Sequence, residues 1–189
     1  MRIHTSLIAS VIAALLLAAC AKPLEVASIT EIQPKNGAKG IDIYEPRRRA
    51  GDALAPEFAG DQLLEVRTYT YKDGQGEIEV PGASCTVSAA EFSATTRTPA
   101  KVRVPIYRAQ SSQLAVQCEM DGFQKRMVTV AAFDVTRSQR MASSGGGGLI
   151  GIVAVAAVDA LADNSKNNWA YPVARVVLEP AGKKTASAQ

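Results

Sequence analysis

From Gln62 to Thr136 apolar and polar residues alternate with period two, and the cysteines Cys85 and Cys118 both fall on the apolar phase. Such alternation is the mark of half-buried strands, whose successive side chains point to opposite faces of a sheet. Val102, Val104 and Ile106 alternate with Lys101, Arg103 and Pro105, and Leu114, Val116, Cys118 and Met120 share one face. Ala83, Cys85, Val87 and Ala89 do the same. Shorter strands are predicted at Leu64–Val66 and Ile78–Val80, a longer one over Arg126–Val135, and another over Val173–Leu178. Asp73-Gly74 and Asp121-Gly122 supply turn chemistry between them. Many short strands with this spacing predict a mainly β fold, an antiparallel β-sandwich over residues 62–180.

The N-terminus points to export. Arg2 precedes an apolar run from Leu7 to Ala19, the layout of a secretory signal peptide over 1–19. Leu17-Ala18-Ala19-Cys20 resembles a bacterial lipobox, which implies that Cys20 is acylated and becomes the new N-terminus. Bacterial lipoproteins of this kind carry several acyl chains, enough for a near-permanent membrane anchor. Ala21 stands where that class holds Asp for inner-membrane retention, which implies the outer membrane, periplasmic face. In an oxidising compartment the two remaining cysteines are most simply a disulfide, Cys85–Cys118, with two unpaired buried thiols as the alternative. Losing Arg2 takes the charge from +3 to about +2, too balanced to argue for nucleic acid.

Between the anchor and the strands, residues 20–61 carry Pro34, Pro46, Pro56 and the run Arg47-Arg48-Arg49. They read as a lipidated tether with one short strand around Ile41–Tyr44 and a solvated arginine surface. Residues 181–189 read as a disordered tail.

Cys85-Thr86-Val87, Thr98-Pro99-Ala100-Lys101-Val102-Arg103-Val104, Leu114-Ala115-Val116-Gln117-Cys118 and Asp121-Gly122-Phe123 follow one another in an order that resembles PEGA-like β-sandwich modules. With Trp169-Ala170-Tyr171-Pro172 and a glycine-rich run, the chain is also similar to a group of uncharacterised proteobacterial lipoproteins. The resemblance implies a fold and an envelope setting and brings no catalytic residue.

That glycine-rich run, Gly145–Asp163, is not a phosphate loop. Gly146 and Gly151 have the spacing, but Ile152 stands where lysine must be. As a span it is short: Leu149 to Ala162 rises about 21 Å as a helix, against a bilayer core of about 30 Å. It reads as an apolar helical crossover packed on a sheet, with self-association or an envelope protein partner as the sharper alternative.

Chemistry is thin. The only histidine, His4, lies in the signal peptide, so the mature chain has no imidazole for a triad or a zinc site. Glu77 and Glu79 share a strand face and read as a solvated edge rather than an acid–base pair; Trp169 and Tyr171 read as core and rim packing rather than a sugar platform. No catalytic residue, cofactor or metal is expected. The expectation is a non-enzymatic interaction or structural module. A subunit of an envelope transport or secretion assembly is the alternative, and a hydrolase of cell-wall glycans a weaker one.

Overall fold

The computed structural model describes residues 23–26, 28–108, 111–136 and 168–182, and among these the period-two alternation resolves into the following strands, with one short helix, Glu45–Arg49, lying wholly within them. The strands are β1 (Ile29–Glu31), β2 (Gln33–Pro34), β3 (Phe58–Lys72), β4 (Gly76–Glu79), β5 (Ser84–Ser88), β6 (Phe92–Arg97), β7 (Ala100–Tyr107), β8 (Leu114–Glu119), β9 (Arg126–Val130), β10 (Phe133–Asp134), β11 (Trp169–Ala170) and β12 (Ala174–Val177); α1 is Glu45–Arg49. The fold is mainly β. One sheet runs β1-β7-β3-β12 with β4 also on β3, a second runs β2-β6-β5-β8-β9, and β10 and β11 form a small pair.

The inward phases of both sheets fill one core. Leu64, Val66, Val102, Val104 and Val176 come from the first sheet, and Cys85, Val87, Leu114, Val116 and Cys118 from the second, all fully buried. Each such aliphatic side chain contributes roughly 1.5–3 kcal/mol by leaving water. Asp73-Gly74 makes the β3–β4 turn, with Gly74 at φ 76°, and the Gln75 N–H donates to the Lys72 carbonyl. Gly60, at φ 132°, sits where the β3–β7 register slips, a bulge that only glycine accommodates without strain.

Several expectations change. The sheets are not wholly antiparallel: β1 runs parallel to β7, and β12 parallel to β3. They are the first and last strands among the described residues, and each lies far in sequence from its partner, so no hairpin forces the pair antiparallel. The strand predicted over Arg126–Val135 breaks at Ala131–Ala132 into β9 and β10.

The tether over 20–61 is also corrected. Its described part supplies β1, β2, α1 and the start of β3 at Phe58, and Ile32 and Ile43 join the core at 8% and 1% exposure. Ile41–Tyr44 is a turn leading into α1 rather than a strand. Pro34 closes β2 and Pro46 opens the first turn of α1, so these prolines punctuate ordered elements rather than a loose spacer. The signal peptide 1–19, Cys20, the segment 145–163 and residues 183–189 lie outside the described residues.

The two sheets are laced together on both sides. On one side the chain leaves the first sheet after β1, buries Ile32 and enters the second as β2, while Thr30 donates to Thr96 Oγ1 at 3.0 Å. On the other side Phe123 bridges Pro180, the Gln124 N–H donates to the Glu179 carbonyl at 2.8 Å, and Arg126 pairs with Glu179.

Candidate functional site

Cys85 on β5 faces Cys118 on β8 in direct cross-strand register, with both residues fully buried. Their sulfurs are joined, with the Cα atoms 4.1 Å apart. The alternation that turned both side chains inward brought them within bonding reach. The disulfide thus closes a loop between neighbouring strands of one sheet.

A second construction holds the start of the described chain. Arg67 on β3 donates to Glu79 Oε1 on β4 at 2.5 Å and to Glu65 through two nitrogens, its side chain only 10% exposed and that of Glu79 12%. The same ion pair grips Leu24. The Leu24 N–H donates to Glu79 Oε2 at 3.1 Å, and Arg67 Nη1 donates to the Leu24 carbonyl at 3.0 Å. Burial opposes the charge on Arg67, but the hydrogen bonds to Glu65 and Glu79 outweigh it and leave its pKa raised. Glu79 is therefore not a solvated edge, and Glu77 is paired with Arg175, whose guanidinium lies over the Tyr69 ring.

Arg47-Arg48-Arg49 is not a bare cationic surface either. Arg47 pairs with Asp52, Arg48 with Asp42, and Arg49 with Glu45. Asp42 also receives a hydrogen bond from the Tyr107 hydroxyl, which itself accepts from the Ile43 N–H at 3.0 Å. These contacts fasten the turn before α1 onto β7. A buried hydroxyl chain fastens the β4–β5 connection in the same manner: the Ala83 N–H meets Thr98, Thr98 meets Thr68, and Thr68 donates to the Val80 carbonyl.

Tyr171 is core. Its hydroxyl donates to the Ser112 carbonyl at 2.6 Å, and its backbone exchanges two hydrogen bonds with the Gln62 amide. Burial pushes the Tyr171 hydroxyl up to about 12 and raises that of Tyr107 as well. Neutral phenols are thus favoured by folding, so their contribution is complete below the unfolded value of about 10 and is lost as pH rises through about 12. Thermal melts across that window should show falling stability. A melting temperature that stays flat from pH 10 to 12 contradicts the assignment.

Trp169 is only partly buried. It lines an open cleft of about 310 Å³ with Gly60, Asp61, Gln62 and Asn168, and its buried Nε1 has no hydrogen-bond partner among the described residues. Trp169 and Tyr171 therefore do not form one aromatic platform. A second open cleft, about 470 Å³, lies beside the disulfide strands between Ser84, Arg97, Glu119 and Asp121. Among the described residues no three histidine, cysteine or carboxylate side chains converge as metal ligands, and no helix is long and apolar enough to cross a membrane. No family model matches the chain, and neither a curated protein nor a solved structure is significantly similar to it.

The Arg67–Glu79 grip on Leu24 went unforeseen. The available signal was the Asp73-Gly74 turn between the predicted strands Leu64–Val66 and Ile78–Val80; extending the first strand by one residue brings Arg67 near Glu79 across the two arms.

Proposed function

We propose that the chain is an envelope lipoprotein, acylated at Cys20 and held at the periplasmic face of the outer membrane. Its PEGA-like β-sandwich serves as a non-enzymatic interaction or structural module. The observation that carries this reading is the buried Cys85–Cys118 bond, since a structural disulfide belongs to an oxidising compartment and the leader before Cys20 supplies the route there. The use of Glu65, Glu77 and Glu79 as arginine partners fits a structural rather than a catalytic role for the carboxylates on β3 and β4.

Cys20→Ser in the full-length chain should abolish metabolic labelling with palmitate and release the protein from the membrane fraction. Labelling at the parent level would sink the reading.

A second reading, a subunit of an envelope transport or secretion assembly engaged through Gly145–Asp163, is favoured by one observation. The ends of the segment 137–167 meet in a stem: β10 pairs with β11, the Val135 N–H donates to the Asn168 carbonyl at 2.8 Å, and the Asn168 N–H donates to Thr136 Oγ1. A segment that leaves and returns at one point suits an arm offered to a partner better than a crossover between distant strands.

A further inference from the structure

The length of chain between Cys20 and the grip on Leu24 fixes which end of the body lies nearest a lipid anchor. Four residues span at most about 14 Å when fully extended. Leu24 is held to the body through both its N–H and its carbonyl, so no long tether intervenes. The direction of approach is also set. The Lys101 N–H donates to the Ser28 carbonyl, and Lys101 lies opposite Glu65 on β3; Leu24 is held by Arg67 and by Glu79, which lies opposite Tyr69. Traced back from Ser28, the backbone therefore advances along β3 toward the β3–β4 turn.

That turn carries an unusual surface. Tyr71 is 66% exposed, two residues and roughly 7 Å beyond Tyr69 along the strand. Tyr69 is capped by the Arg175 guanidinium 4.4 Å from its ring centre, whereas Tyr71 and Lys72 stand exposed at the tip. A tyrosine ring has an apolar body and a polar end and settles at the headgroup level of a bilayer, and a lysine stem reaches from there to water.

We propose that the tip of the β3–β4 hairpin, Tyr71 with Lys72, is a membrane-contact site that rests in the headgroup layer of the bilayer holding Cys20. The proposal rests on the lipoprotein reading above. It places the opposite end, with α1 and the 89% exposed Leu54, away from the bilayer, because Phe58 and Tyr69 lie roughly 35 Å apart along β3.

The test uses the full-length chain, labelled with palmitate in cells and reconstituted into phosphatidylcholine vesicles with acyl chains brominated near the headgroup. In a Trp169→Phe background, one variant carries Tyr71→Trp and another Leu54→Trp. The indole at position 71 should lose most of its emission, and that at position 54 should keep it. A labelled, vesicle-bound chain that keeps its emission at position 71, or loses it at 54 instead, overturns the membrane-contact site and leaves the lipoprotein reading standing. A chain that neither takes label nor floats with vesicles overturns both. The unsubstituted protein gives an independent measurement: Lys72 should react more slowly with a membrane-impermeant amine reagent on vesicles than in Cys20→Ser, and equal rates overturn the site.

Discussion

Arg67→Ala should lower the stability of the domain by about 3–5 kcal/mol, because it strands two carboxylates in a site built for three charges. The side chains of Arg67 and Glu79 are 10% and 12% exposed, so Glu79 has little water to turn to when its partner goes. At roughly 2–4 °C per kcal/mol for a domain of this size, the melting temperature should fall by about 10 °C. Two further readouts separate this cause from simple loss of packing. Amide exchange at Leu24 should accelerate, since its N–H is held by Glu79 and its carbonyl by Arg67. Replacing all three charges together, Arg67→Met and Glu79→Met with Glu65→Gln, should recover much of the loss, as apolar replacements of buried ion pairs commonly do. An Arg67→Ala variant that melts with the parent refutes the account.

The second large effect belongs to the disulfide. Closing a loop across a sequence separation of 33 stabilises by about 3–4 kcal/mol in chain-entropy terms, and Cys85→Ala should remove most of it. The lost sulfur also leaves a gap beside Cys118 in a core packed at the density of a crystal. Because both cysteines are fully buried, a thiol reductant should act slowly on the native protein and rapidly once denaturant opens it. Rapid reduction without denaturant would contradict the burial of the bond; a Cys85→Ala melt equal to the parent's would contradict its structural role.

What could be read in advance follows from the range of the interaction concerned. The strands β5, β7 and β8 were legible because alternation is written in neighbouring residues, and the same phase put Cys85 opposite Cys118. Residues 23–61 were not. Their prolines and glycines outweighed the sparse apolar residues, yet Ile32, between β1 and β2, and Ile43, just before α1, both reach the core. The carboxylate partners of Arg47, Arg48 and Arg49 lie within six residues, but which side chains would turn toward each other depended on a helix of a single turn. The strand β12 was legible as a strand; its parallel pairing with β3 was not, since nothing in Ala174–Val177 names a partner more than a hundred residues away.

The stem formed by β10 and β11 bears on how such a chain can vary. Its two arms are fixed to each other by Phe133 opposite Ala170 and Asp134 opposite Trp169, so the body already meets its own ends there. The pairing itself holds Thr136 and Asn168 close together. Loop-closure cost rises by only about 0.6 kcal/mol for each doubling of length. A change of length between the two arms therefore adds little closure entropy to the cost of folding, so chains that share this scaffold can differ in size at the stem.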